Sequence, residues 1–115
     1  MMKQVIIIRK DLKCRRGKEI SQGAHASMLA ILPNLDDPRV KEWLAGAFTK
    51  ICVCVNSEEE LLELNQKALD NFHITGLIRD NGDTEFHGVK TYTALAIGPG
   101  ESEELDKITG HLKLY

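Results

Sequence analysis

The chain has 115 residues, 43% hydrophobic and 28% charged, which suits one domain over residues 1–115 with a single core and leaves no room for a second. A formal net charge of −2 argues against a chain-wide coat for nucleic acid. Its apolar runs are strand-sized and its N-terminus lacks a signal-peptide pattern, so a cytoplasmic protein off the membrane is expected. Three cysteines, an odd count with Cys52 and Cys54 on one face of a predicted strand, exclude a disulfide framework, and no ligand spacing suggests zinc.

The first predicted element is a strand over residues 4–9, because Val5-Ile6-Ile7-Ile8 is a continuous β-branched run of the kind buried on both faces. A loop over residues 10–17 follows, and charge is concentrated around it. Lys3, Arg9, Lys10, Lys13, Arg15, Arg16 and Lys18 stand against Asp11 alone, a patch able to engage phosphates on a protein that is acidic overall. A thiolate at Cys14 would be favoured by these neighbours, but no base lies in sequence reach.

A helix is predicted over residues 18–32, stopped by Pro33. At about 100° per residue, Lys18, Gln22 and His25 share one face, while Ile20, Ala24 and Ile31 gather opposite as its apolar side. Gly23, Ala24, Ala26 and Ala30 are small enough to let it lie close to a sheet. A cation, an amide and an imidazole thus project together next to the basic loop.

Asp37-Pro38 reads as an N-cap with proline at the first helical position, opening a helix over residues 38–47. A strand over residues 50–55 follows, with Cys52 and Cys54 expected in the core. Ser57-Glu58-Glu59-Glu60 matches a capping box, and Leu61, Leu62, Leu64 and Leu69 supply the stripe of a third helix ending near Asn71. Residues 73–79 read as a strand interrupted by Gly76, and Asp80-Asn81-Gly82-Asp83 as a turn. The last strand is predicted over residues 92–97, closed by Gly98-Pro99-Gly100. A short helix over residues 101–108 precedes a tail whose alternating Leu112 and Leu114 predict packing. Strands alternating with helices predict an α/β, single three-layer domain: a mixed central sheet of about four strands with helices on both faces. If the strands before residues 10–17 and 80–84 run parallel, both loops open on one rim, where Asp80 meets the Lys18 face.

Gly17-Lys18 does not make a phosphate-binding P-loop, since that pattern needs glycine at position 12 and a hydroxyl residue at 19, and the chain has Leu12 and Glu19. No G-x-G-x-x-G or G-x-S-x-G occurs. Three other stretches are informative together: Asp11-Leu12-Lys13 through Gly17-Lys18 and Gln22-Gly23-Ala24-His25-Ala26; Leu77-Ile78-Arg79-Asp80-Asn81-Gly82-Asp83-Thr84; and Ala96-Ile97-Gly98-Pro99-Gly100 with Asp106-Lys107-Ile108-Thr109-Gly110-His111-Leu112-Lys113-Leu114-Tyr115. In order, spacing and C-terminal ending, this pattern resembles the type 2 peptidyl-tRNA hydrolases across essentially the whole chain.

The resemblance implies a homodimer that hydrolyses the ester between a peptide and the 3′ ribose of tRNA, with no metal or organic cofactor. It carries catalytic roles onto Lys18, Gln22, His25, Asp80 and Thr84. Lys13, Arg15 and Arg16 are the expected tRNA-binding residues, since they would hold acceptor-stem phosphates. The chain departs from the family pattern at Asn81, at the acidic Asp83, and in residues 87–90. Two alternatives therefore stay open: a tRNA- or RNA-binding module without hydrolytic activity, and a hydrolase of another ester-linked acyl-tRNA.

Overall fold

The computed structural model describes residues 1–81 and 88–115. The chain runs β1 (Met2–Arg9), α1 (Arg16–Ile31), α2 (Pro38–Ala45), β2 (Lys50–Val55), α3 (Glu58–Asp70), β3 (Thr75–Asp80), β4 (Thr91–Glu101) and α4 (Ser102–Thr109), with short 3-10 turns at Lys10–Leu12 and Leu32–Asn34. The described strands form one sheet in the order β2-β1-β4-β3. β1 pairs parallel to β2 and antiparallel to β4, and β4 is antiparallel to β3. β1 and β3 therefore point the same way, and their C-terminal ends reach the same rim, as the rim argument required. The sheet is mixed and sandwiched between helices, the predicted class.

Period-two alternation splits the core into two layers. Val5, Ile7, Val53, Leu95 and Ile97 face α3 and α4, where Leu61, Leu105 and Ile108 complete one cluster. Ile8, Ala94 and Ala96 face α1 and α2, meeting Ala26, Ala30, Val40 and Trp43. Local signals define the starts of α2 and α3. Asp37 accepts from the Arg39 N–H at 2.8 Å ahead of Pro38, and the Ser57 hydroxyl accepts from the Glu60 N–H at 3.1 Å.

Gly76 does not interrupt its strand. A Cβ there would meet the Ala26 carbonyl at 2.4 Å and the Ala30 nitrogen at 2.7 Å, so glycine is what lets α1 lie directly on β3. That contact sets the roll of α1. Gly23, Ala26, Ser27, Ala30 and Ile31 turn inward, whereas Ile20 and Ala24, expected on the apolar side, are exposed. Gln4, fully buried, accepts from the Ser27 hydroxyl at 2.6 Å and donates to the Gly98 carbonyl at 3.3 Å, tying helix to sheet with its polar groups satisfied.

Two further expectations are corrected. β4 does not close at Gly98-Pro99-Gly100 but runs through them to Glu101; at Gly98 a Cβ would sit 2.9 Å from the Lys3 carbonyl, and φ is +101°, so the chain bends there without leaving β1. Cys52 is exposed and only Cys54 is buried, because α1 lies mainly over β3 and β4 and leaves that face of the edge strand β2 open. The tail is held by its backbone, with the Val53–Leu114 bridge and the Tyr115 N–H donating to the Cys52 carbonyl covering the β2 edge. Of the two leucines expected to pack, only Leu112 reaches the core, while Leu114 is exposed.

Candidate active site

The close seating of α1 on β3 brings the first two turns of the helix over the C-terminal end of that strand. Lys18 and Gln22, one turn apart, point at the strand's last residue, Asp80. The Lys18 Nζ stands 2.8 Å and the Gln22 Nε2 2.9 Å from the same oxygen, Asp80 Oδ2. All three are sheltered: the Lys18 and Asp80 side chains are 18% and 11% exposed, and Gln22 is buried. An ion pair at this depth is screened less than a surface pair, and the carboxylate has Gln22 as a second partner.

A fourth member comes from β4. The pairing of β3 with β4 slips by one between Ile78–Ala94 and Arg79–Tyr92, so Thr93 is the extra residue of a β-bulge. In a regular strand Thr93 would face away from its neighbour Ala94. The bulge instead turns it to the α1 side, where its hydroxyl donates to Gln22 Oε1 at 2.8 Å. An amide has one acceptor and one donor end, so this bond fixes which end of Gln22 faces Asp80. Thr93 was missed by reading the sequence, in which it is one more β-branched residue of a strand; its slip in register has no local signature.

The other predicted residues fall as follows. Lys13, Arg15 and Arg16 are exposed between the end of β1 and the start of α1, on the Asp80 rim. The turn they occupy is anchored by Arg9, whose guanidinium holds Asp11 at 3.2 and 2.7 Å, and by Lys13 in the left-handed region with φ of 53°. His25 is exposed and makes no hydrogen bond or ion pair with the Lys18, Gln22, Asp80 group, although it shares their helix. Thr84 and Asp83 lie outside the described residues. Among the described residues no three His, Cys, Asp or Glu side chains gather as a metal site.

On the other flank of α1 is an apolar groove of about 840 Å³, with Ile6, Ile8 and Cys52 in its floor and Ile20, Ala24 and Met28 along its wall. The Tyr115 hydroxyl spans one end, donating to Glu19 at 2.6 Å, and that carboxylate pushes the phenol's pKa up to about 12.

Chemically, the rim offers a rigidly held carboxylate, an ammonium touching it, and a buried amide in a fixed orientation, beside exposed cations. Such a set can orient a water, face a developing negative charge, and hold a polyanion near both. Comparison with known proteins points the same way. Residues 2–115 match the family described as "Peptidyl-tRNA hydrolase PTH2". The chain is similar to the peptidyl-tRNA hydrolase of Methanocaldococcus jannaschii, 46% identical over 98% of this chain and 99% of that one. It is also similar to that of Methanopyrus kandleri, 44% identical over 99% and 98%. A solved structure of a protein of unknown function from Agrobacterium tumefaciens, Atu0240, matches 99% of this chain and 97% of its own with a TM-score of 0.65; at 15% identity it supports the fold alone.

Proposed function

The chain belongs to the peptidyl-tRNA hydrolase PTH2 family, and from that membership we infer that it hydrolyses the ester joining a peptide to the 3′ ribose of tRNA. The observation that carries the reading to particular residues is the convergence of Lys18 and Gln22 on one oxygen of Asp80, at the rim that also bears Lys13, Arg15 and Arg16.

In the mechanism we propose, Asp80 orients a water and takes its proton as the water oxygen adds to the ester carbonyl. Lys18 faces the oxyanion of the tetrahedral intermediate. Gln22, locked by Thr93, keeps Asp80 aligned, and Thr84 helps position water and carbonyl. The C–O bond to the ribose then breaks, and the ribose oxygen is protonated, a transfer we assign to His25. The positive charge required is supplied by Lys18, so the reaction is proposed to need no metal. The exposed cations hold the acceptor-stem phosphates. The unpaired 3′ end is what enters the rim, since its bases are not locked in a duplex. We place the protein in the cytoplasm, where this substrate is made; no helix among the described residues is long and apolar enough to cross a membrane.

The test is release of N-acetylated amino acid from tRNA by the purified protein in the presence of a chelator, with unblocked aminoacyl-tRNA beside it. Cleavage of the blocked ester is expected, with little from the free one. Binding without cleavage would favour the RNA-binding alternative, and equal cleavage of both the broader acyl-tRNA hydrolase. In the same assay Arg15→Ala and Arg16→Ala should each weaken tRNA binding and lower the slope of log affinity against log salt by about one, the loss of one phosphate contact.

A homodimer is also proposed, with the α1 groove as its interface. Ile20 projects and the groove beside it receives, on one face of one chain, as an isologous contact about a two-fold axis requires. Ala24→Glu, which places a charge mid-stripe, should shift the sedimentation of a dimer to that of a monomer; a wild-type monomer at all concentrations contradicts this assembly.

A further inference from the structure

We propose that Arg9 and Glu58, on the sheet face opposite the active site, are positioning residues for ester hydrolysis: by holding both backbone polar groups of Tyr92 they keep the β4 bulge in place and so aim Thr93 at Gln22. The proposal rests on the hydrolytic reading above.

β1 ends at Arg9, level with the bulge. At Tyr92, the residue beside Thr93, side chains serve the backbone. The Arg9 Nη1 donates to the Tyr92 carbonyl at 2.9 Å, and the Tyr92 N–H donates to Glu58 Oε1 at 3.2 Å. The two side chains also face each other, with Arg9 Nη1 and Glu58 Oε1 3.5 Å apart. Arg9 is only 9% exposed, a depth at which a guanidinium needs all these acceptors, and its remaining nitrogens hold Asp11. From the same side Arg79 lies over the Tyr92 ring at 6.0 Å. Tyr92 is thus gripped by strand end, helix start and neighbouring strand.

The grip matters because of what a bulge is. One extra residue on β4 reverses the facing of the residues beyond it, and the same count of residues is met if the bulge moves one place along the strand. With the bulge at Thr93, the hydroxyl faces α1 and meets Gln22. Displaced by one, a different side chain faces α1, Gln22 loses the partner that fixes its amide, and Asp80 loses a defined donor. The Arg9–Glu58 pair singles out one position by satisfying the backbone of Tyr92 where it now lies.

Glu58 also has a merely structural role to separate, since a negative charge in the first turn of α3 favours that helix. Two conservative variants divide the roles. Glu58→Asp keeps the charge but withdraws the acceptor from Tyr92; Glu58→Gln discards the charge but keeps an oxygen at the same reach. Cleavage of N-acetyl-aminoacyl-tRNA is measured in single turnover at saturating enzyme, with wild type and Asp80→Asn as references. Glu58→Asp should be slower by roughly 10-fold or more with unchanged tRNA affinity, the size of effect that a small misplacement of reacting groups produces. Glu58→Gln should stay within about twofold of wild type by the same reasoning. Arg9→Lys, whose single nitrogen cannot hold Asp11 and Tyr92 together, should also be slow. The reverse order of the Glu58 variants, or wild-type rates in Glu58→Asp and Arg9→Lys, overturns the proposal while leaving hydrolysis intact. An inactive wild type, or full activity in Asp80→Asn, instead overturns the hydrolytic reading on which it stands.

Discussion

Asp80→Asn should lower single-turnover ester cleavage by roughly 10²- to 10⁴-fold, the range for losing a general base, while leaving tRNA affinity within a few-fold. The amide keeps the volume of the carboxylate but accepts no proton from water. The substitution has a second consequence at this site. Asp80 Oδ2 now accepts from both the Lys18 ammonium and the Gln22 amide, and Lys18 is left facing a neutral group in a sheltered position. Loss of a charged hydrogen-bond partner costs about 1.5–3 kcal/mol, so the melting temperature should fall by several degrees without loss of the fold. Rapid mixing of excess enzyme with N-acetyl-aminoacyl-tRNA separates the chemical defect from binding. Wild-type cleavage by Asp80→Asn would leave Asp80 as the end of a strand and nothing more.

Lys18→Ala should lower the same single-turnover rate by on the order of 10²- to 10³-fold, as expected for deleting one preorganised charge that faces a developing oxyanion. Lys18 is carried by α1, which rests on β3 at Gly76, and its ammonium stands 2.8 Å from Asp80 Oδ2. Lys18→Ala differs from the changes at Arg15 and Arg16 in the step affected. In the proposed mechanism Lys18 acts on the transition state, so the loss should persist at saturating enzyme, whereas the arginine variants should recover full rate once substrate is bound. A Lys18→Ala enzyme with a normal saturating rate and weakened binding would reassign Lys18 to phosphate recognition.

Two of the three residues that meet at Asp80 Oδ2 and behind it were legible in the chain before folding. Lys18 and Gln22 follow from helical periodicity, and Asp80 joins them on the condition, met in the fold, that β1 and β3 point the same way and so end on one rim. The third, Thr93, was not, because a β-bulge is a mismatch between two strands and no property of either alone. The same limit explains Ile20, Ala24 and Cys52. Their apolar character suggested burial, but whether a helix covers an edge strand depends on where that helix rests. Gly76 and the small residues of α1 draw it toward β3, away from β2.

By itself the chain determined whatever depends on neighbours within a few positions: the β-branched run of β1, the caps at Asp37 and Ser57, the Leu61 and Leu64 part of the α3 stripe (Leu69, also expected there, is exposed, and Ala68 is buried instead), the three-layer class, and the common face of Lys18 and Gln22. These are local because backbone sterics, capping and periodicity act over one or two turns. The tertiary structure alone decided which face of α1 lies down, how far β4 runs past Gly98, where the slip in register falls, and that Arg9 and Glu58 meet the backbone of Tyr92. Each of these arises from close packing between segments far apart in the chain, where a single glycine or one unpaired residue sets a distance of ångströms that no local preference contains.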